Sequence, residues 1–165
     1  MKKLYFLPLF VLLIACGPKP NSGNSTATRT YTKTSKTTNK AKQIVDYALS
    51  FQGVRYRYGG TSRSGMDCSG LIFKSFDQVG LQLPRISRDM AKRGVSISLA
   101  EISPGDLLFF KTDKSSRQIN HVGLIVSSSG GDVEFIHATT SKGVIVSRLT
   151  ENYWRTAFVG ARRVL

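Results

Sequence analysis

Three side chains in this sequence could together perform covalent chemistry. They are Cys68, in the run GMDCSGLIFKSF, and the two histidines, His121 in NHVGLIVS and His137 in DVEFIHA. A thiol becomes a strong nucleophile once ionised, and a neighbouring imidazole can take its proton and later return it to a leaving amine. A second imidazole can hold the first in one orientation and one tautomer. The chain order Cys68, His121, His137 thus reads as nucleophile, base and orienting group. Each residue also has a plainer use: a free cysteine is often a small buried hydrophobe, and a strand histidine can bond to backbone. The same three could instead ligate zinc, but no fourth ligand and no acidic general base is placed for that chemistry, so no metal is expected.

The elements around these residues must bring them to one place. Apolar residues at helical spacing, with Asn39 as N-cap and Gly53 as stop, predict a helix over residues 41–49. A second helix is predicted over 67–79, closed by Gly80, with Cys68 in its first turn, where exposed N–H groups and the macrodipole should lower the thiol pKa. A short third helix should run from Ser87 as N-cap to Gly94. After Glu101 the pattern changes to five β-rich runs, DLLFFK, NHVGLIVS, DVEFIHA, GVIVSRL and AFVGARRVL, separated by Gly, Ser and Asp. Helices followed by a strand meander predict an α+β fold with the N-terminal helices packed on an antiparallel sheet. If the SSSGG turn pivots near Ser129, Val126 faces Asp132 and His121 faces His137, with Cβ atoms roughly 5 Å apart. By alternation the histidines would share a face with Gly123, Ile125, Val133 and Phe135, expected to pack towards the helices. A one-residue slip would put them on opposite faces.

The opening residues carry a different signal. Lys2 and Lys3 precede an apolar run ending Leu13-Ile14-Ala15-Cys16, which reads as a secretory signal over residues 1–15 and resembles a bacterial lipobox, making Cys16 a lipid attachment point. Residues 16–40 are rich in Ser, Thr, Asn and Lys and read as a flexible tether, leaving 41–165 as one domain. Cys68 is then the only thiol of an exported domain, with no disulfide partner. The formal charge of +14 falls to +12 when the two signal lysines leave. Export directs that charge to anionic envelope surfaces and not to nucleic acid.

Taken in order, YRYGG (56–60), DCSGL (67–71), LPRISRDM (83–90), PGDLLFF (104–110), HVGLIV (121–126), FIHA (135–138) and the closing GARRV resemble the NlpC/P60 cysteine peptidases. The resemblance covers residues 41–165 and implies a papain-like fold that cuts stem peptides of bacterial peptidoglycan without a cofactor. It implies that Cys68 attacks the scissile carbonyl, that His121 is the base and that His137 orients it. It further implies that the Tyr56 hydroxyl helps hold the oxyanion and that Asp67 and Ser69 contact the substrate. Arg88, in the matching LPRISR segment, is expected to contact it too. From the residues alone, Asp67 could simply cap the helix, Ser69 support that turn and Tyr56 belong to the core. The expected location is the cell envelope, lipid-anchored at an outer membrane and facing the periplasm. The alternative function is a wall-binding or scaffolding lipoprotein without turnover.

Overall fold

Apolar side chains one helical turn apart fix the first element. The computed structural model describes residues 25–113 and 115–165, with side chains from residue 35 onward. Helix α1 (Ser25–Leu49) buries Ile44 and Ala48 completely, with Val45 beside them. It does not begin at an Asn39 cap as expected. The helix runs through Asn39, whose Oδ1 accepts from Gln43 Nε2 at 2.7 Å, so residues 25–40 of the expected tether are helical. The signal segment, Cys16 and residues 17–24 lie outside the described residues.

Helix α2 (Cys68–Asp77) follows a two-stranded hairpin, β1 (Thr61–Ser62) and β2 (Gly65–Met66). Its Leu71, Ile72 and Phe76 are fully buried. Helix α3 (Ser87–Met90) is a single turn, shorter than expected. Ile86 occupies the N-cap position without a side-chain bond, which places Ser87 inside the turn and not before it.

The sheet comprises β3 (Val95–Ile97), β4 (Leu107–Phe110), β5 (His121–Ser129), β6 (Asp132–Thr139), β7 (Gly143–Arg148) and β8 (Phe158–Arg163), with helix α4 (Asn152–Ala157) leading into β8. All pairings are antiparallel, in the order β3-β8-β4-β5-β6-β7, giving the expected α+β architecture. Strand β4 and the inner parts of β5 and β6 are buried on both faces, whereas the edge strand β3 is largely exposed. Leu107, Phe109, Val122, Leu124, Ile136 and Val144 pack with α1 and α2 residues. Leu108, Phe110, Ile125 and Phe135 form a second core with Trp154 of α4. The histidines lie on this second face, so the expectation that their face packs on the N-terminal helices is wrong. The apolar runs were long enough to serve two cores, and alternation alone does not say which helix covers which face.

The register also differs from expectation. Gly130 and Gly131, both at positive φ, make a two-residue turn that pairs Ser129, not Val126, with Asp132. A bulge at Val126 then shifts the pairing by one, giving Ile125 with Phe135 and Leu124 with Ile136. His121 and His137 are therefore not directly opposite. Continuing this register sets Gly123 across from His137, and the two imidazoles meet on the diagonal. Without the bulge the histidines would lie on opposite faces.

One ion pair locks the loop before β4 to the last strand. Buried Asp106 accepts from Arg163 Nε at 2.8 Å, from Arg163 Nη2 at 2.7 Å and from the Ser103 N–H at 2.7 Å. The Asp106 hydrogen bond raises the Arg163 pKa. Asp106→Ala is expected to cost about 2–3 kcal/mol, since it leaves a partly buried guanidinium and an N–H without their acceptor. Urea unfolding of this variant against Asp106→Asn, which keeps an acceptor oxygen and should lose less, checks the assignment.

Candidate active site

The N-terminus of α2 is built around Asp67. Its Oδ1 caps the helix, accepting from the Gly70 N–H at 2.6 Å, and also accepts from Ser69 Oγ and Arg85 Nη1; Oδ2 accepts from the Gly59 N–H and Arg85 Nη2, both at 2.8 Å. A Cβ on Gly70 would lie 2.0 Å from the Gly60 carbonyl oxygen, so DCSG and YRYGG are locked together by a backbone approach that only glycine permits. Ser69 also accepts from Arg85 Nη1 at 2.8 Å. Asp67 and Ser69 are thus buried in an internal network while still bordering the cleft.

This network places Cys68 in the first helical turn against the start of β5. The side chain is partly open to the cleft and otherwise surrounded by protein. Burial pushes the thiol pKa up, with the Asp67 carboxylate adding to the rise and the Val122 N–H opposing it. The expected lowering by the helix terminus is outweighed, because desolvation of a thiolate exceeds what a few N–H dipoles return. Tyr56 shares the cleft wall. Its phenol is also pushed up, first by burial and then by Cys68 and Asp67, so it remains a hydrogen-bond donor at neutral pH.

His121 opens β5 and His137 lies on β6. His121 Nε2 and His137 Nδ1 are 3.0 Å apart, and His137 Nε2 is 3.0 Å from Ser147 Oγ on β7. Trp154 stacks on the His121 ring at 5.2 Å between centroids and meets His137 edge-on at 4.5 Å; Phe135 flanks His137 at 4.8 Å. A Cβ on Gly123 would lie 2.4 Å from Phe135 Cδ2, which explains the glycine of HVG. Burial pushes His121 down to about 4 and His137 down to about 3, the latter also through its neighbour. Near neutral pH the thiol and both rings are therefore uncharged. Among the described residues His121 Nδ1 has no protein partner, and it is the nitrogen left to act as a base. A zinc site using both histidines would need a free nitrogen from each, and both nitrogens of His137 are engaged.

Cys68 sits where two clefts join. One, about 510 Å³, runs past His121, Ser147 and Trp154; the other, about 650 Å³, runs past Tyr58, Arg85 and Arg88. Both share Tyr56, Cys68 and Asn120. Arg88 donates to Gln118 Oε1 at 3.2 Å at the far end of the second cleft. The structure thus brings Cys68, His121, His137 and Tyr56 to one locus, with Asp67 and Ser69 beneath it and Arg88 farther along. Sequence reasoning missed Ser147 and Trp154. Ser147 was legible in principle, as a polar residue on the inner parity of GVIVSRL, whereas a lone Trp in a six-residue helix gives no such cue.

A thiol at a helix N-terminus, set against the start of a central strand of an antiparallel sheet, defines a papain-like α+β fold. Residues 53–163 match the model of the NlpC/P60 family, and the chain belongs to that family. It is 40% identical over 124 residues to an Escherichia coli (strain K12) protein named murein DD-endopeptidase MepS/murein LD-carboxypeptidase, a match covering 74% of this chain and 62% of that protein. The chain thus matches a little under two thirds of that relative's length. It is 43% identical over 120 residues to the probable endopeptidase NlpC of the same strain, covering 72% of this chain and 75% of that one. The solved structure of an NlpC/P60 family protein from Bacillus cereus ATCC 10987 superposes with a TM-score of 0.69 at 28% identity, over 76% of this chain and 40% of that one.

Proposed function

We propose that this chain is a peptidoglycan endopeptidase that hydrolyses stem peptides through a Cys68 acyl-enzyme. The observation that carries the reading is the relay: His121, its Nε2 held by His137, keeps Nδ1 free in the cleft that Cys68 borders. Because thiol and imidazole start neutral, the Cys68 proton passes to His121 Nδ1 as sulfur attacks the carbonyl carbon. The carbonyl π electrons move to oxygen, where Tyr56 donates a hydrogen bond. The imidazolium then protonates the departing amine as the C–N bond breaks, leaving a thioester. Water, giving a proton to Nδ1, adds to the thioester, and sulfur leaves with that proton to restore the thiol.

The clefts on both sides of Cys68 suit a substrate that continues past the scissile bond in each direction. In this reading Arg88 binds the substrate directly, while Asp67 and Ser69 shape the cleft floor beneath it. Cys16 carries the lipid that holds the enzyme at the envelope membrane, on the periplasmic face of an outer membrane. The test is mass spectrometry of defined cross-linked and uncross-linked muropeptides incubated with the protein and with Cys68→Ala. Conversion of dimers to monomers assigns the cross-link, and dipeptide release assigns the bond between D-glutamate and the diamino acid. Equal silence from both proteins, with binding retained, would favour the non-catalytic wall-binding reading.

A further inference from the structure

We infer that Ser147 is a positioning residue: its hydroxyl is the terminal acceptor that lets the His121–His137 pair carry a positive charge. This rests on the acyl-enzyme reading above and adds a fourth member to the relay. Ser147 is buried on β7, where it pairs with Phe135, and its Oγ lies 3.0 Å from His137 Nε2.

The argument is one of proton placement. When both rings are neutral, the relay can be drawn in two directions, because a hydroxyl either donates or accepts. Once His121 takes the thiol proton at Nδ1, only one direction remains. Both His121 nitrogens then carry hydrogen, so Nε2–H must donate to His137 Nδ1. His137 Nδ1 is then an acceptor, its hydrogen lies on Nε2, and that N–H points at Ser147 Oγ. No proton moves beyond His137. The hydroxyl accepts a hydrogen bond, and the imidazolium is held by an oriented line of two bonds in a site walled by Trp154 and Phe135. With alanine at 147, the same charge forms over a buried N–H that lacks its acceptor. The effect falls on the charged state that follows proton transfer, so it belongs to kcat and not to substrate binding.

Ser147→Ala is expected to lower kcat on a muropeptide substrate about tenfold or more, with KM unchanged within about twofold. The acid limb of the kcat profile should move to lower pH, because the imidazolium has lost a stabilising contact. Ser147→Thr, which keeps an oxygen at the same position, should recover most of the rate and return the limb. The other titratable groups bordering this cleft are Tyr56, Cys68, Lys142, Glu151 and Tyr153, and no hydrogen bond joins any of them to His137 among the described residues.

A second readout does not depend on turnover. In 15N-resolved NMR of the full protein at about pH 4 and below, where His121 takes up its proton, the protonated pair should give a slowly exchanging His137 Nε2–H signal that broadens or disappears in Ser147→Ala and persists in Ser147→Thr. If wild type turns over no muropeptide, the functional reading fails while this signal still tests the hydrogen bond. Unchanged kcat with an unchanged NMR signal in Ser147→Ala would overturn the proposal. So would a rate loss with no movement of the acid limb and no recovery by threonine.

Discussion

Cys68→Ala is expected to reduce stem-peptide hydrolysis by a factor on the order of 10⁴ or more while leaving the fold intact. The two effects separate because of where the sulfur sits. It borders a cleft, so its loss opens no large closed cavity, and the cap on α2 comes from Asp67 and not from the thiol. A stability loss of about 1 kcal/mol is expected, a few degrees in Tm for a domain of this size. His121→Ala should lose a comparable factor in rate. Because thiol and base act as a unit, the double variant should be little worse than either single one. Rates from chromatographic progress curves and melting temperatures on the same preparations decide the matter. A Cys68→Ala protein that keeps even a tenth of the wild-type rate would rule out the acyl-enzyme.

Acidification is expected to unfold this protein through the same histidines. In the unfolded chain each takes up its proton near 6.5, whereas in the fold His121 does so only near 4 and His137 near 3. Between those limits the unfolded chain binds more protons than the folded one, so stability falls as pH drops from about 6.5 towards 4 and below. For His121 alone the full loss is roughly 3 kcal/mol, and His137 adds to it. The pair titrates together, so the wild-type curve reports on both rings at once. Urea unfolding at pH 7 and pH 4.5, for the wild type and for a His121→Gln/His137→Gln variant, isolates the contribution. The variant will be less stable at pH 7, but its stability should change less with pH. Parallel curves for the two proteins would show that the buried rings are not the source.

The acid limb of activity should lie unusually low for the same reason. A neutral base is needed at His121, and burial keeps it neutral well below the ordinary histidine range. The helix-terminus argument from sequence pointed instead to an already ionised thiol. It identified the correct dipole but carried no information on desolvation, which depends on how β5 and its neighbours close over the site.

Much else was legible for physical reasons. Cys68 in the first turn of α2 followed from the apolar spacing of Leu71, Ile72 and Phe76 and from the Asp67 cap. That the two histidines share a face was expected from a pivot near Ser129, and it holds in the structure because the Gly130-Gly131 turn and the bulge at Val126 together shift the pairing by an even number of residues. The direct pairing was not legible, since SSSGG offers several pivots and a bulge leaves no compositional mark. Nor was the covering face: Trp154 reaches the histidines from a helix of six residues, too short to show periodicity. The start of α1 was missed because its Ser- and Thr-rich first half gives no amphipathic signal.

The bulge at Val126 has a further meaning for how this hairpin can vary. The tip beyond it, Ser127 to Glu134, could be lengthened or shortened by matched residues on both strands without disturbing the site. Deleting Val126 would leave Ser127 opposite Glu134 and Ile125 opposite Phe135, so the ladder would become regular with His121 and His137 still on one face. Closing the bulge with Val126 retained would instead pair Val126 with Phe135 and bring Val122, in place of His121, onto the face of His137. This hairpin should therefore tolerate the loss of one residue from β5 at the bulge, whereas a single residue lost from β6 should transpose the faces unless the turn absorbs it. A deletion scan of residues 125–135, read out as activity among the folded variants, should show activity retained on loss of Val126.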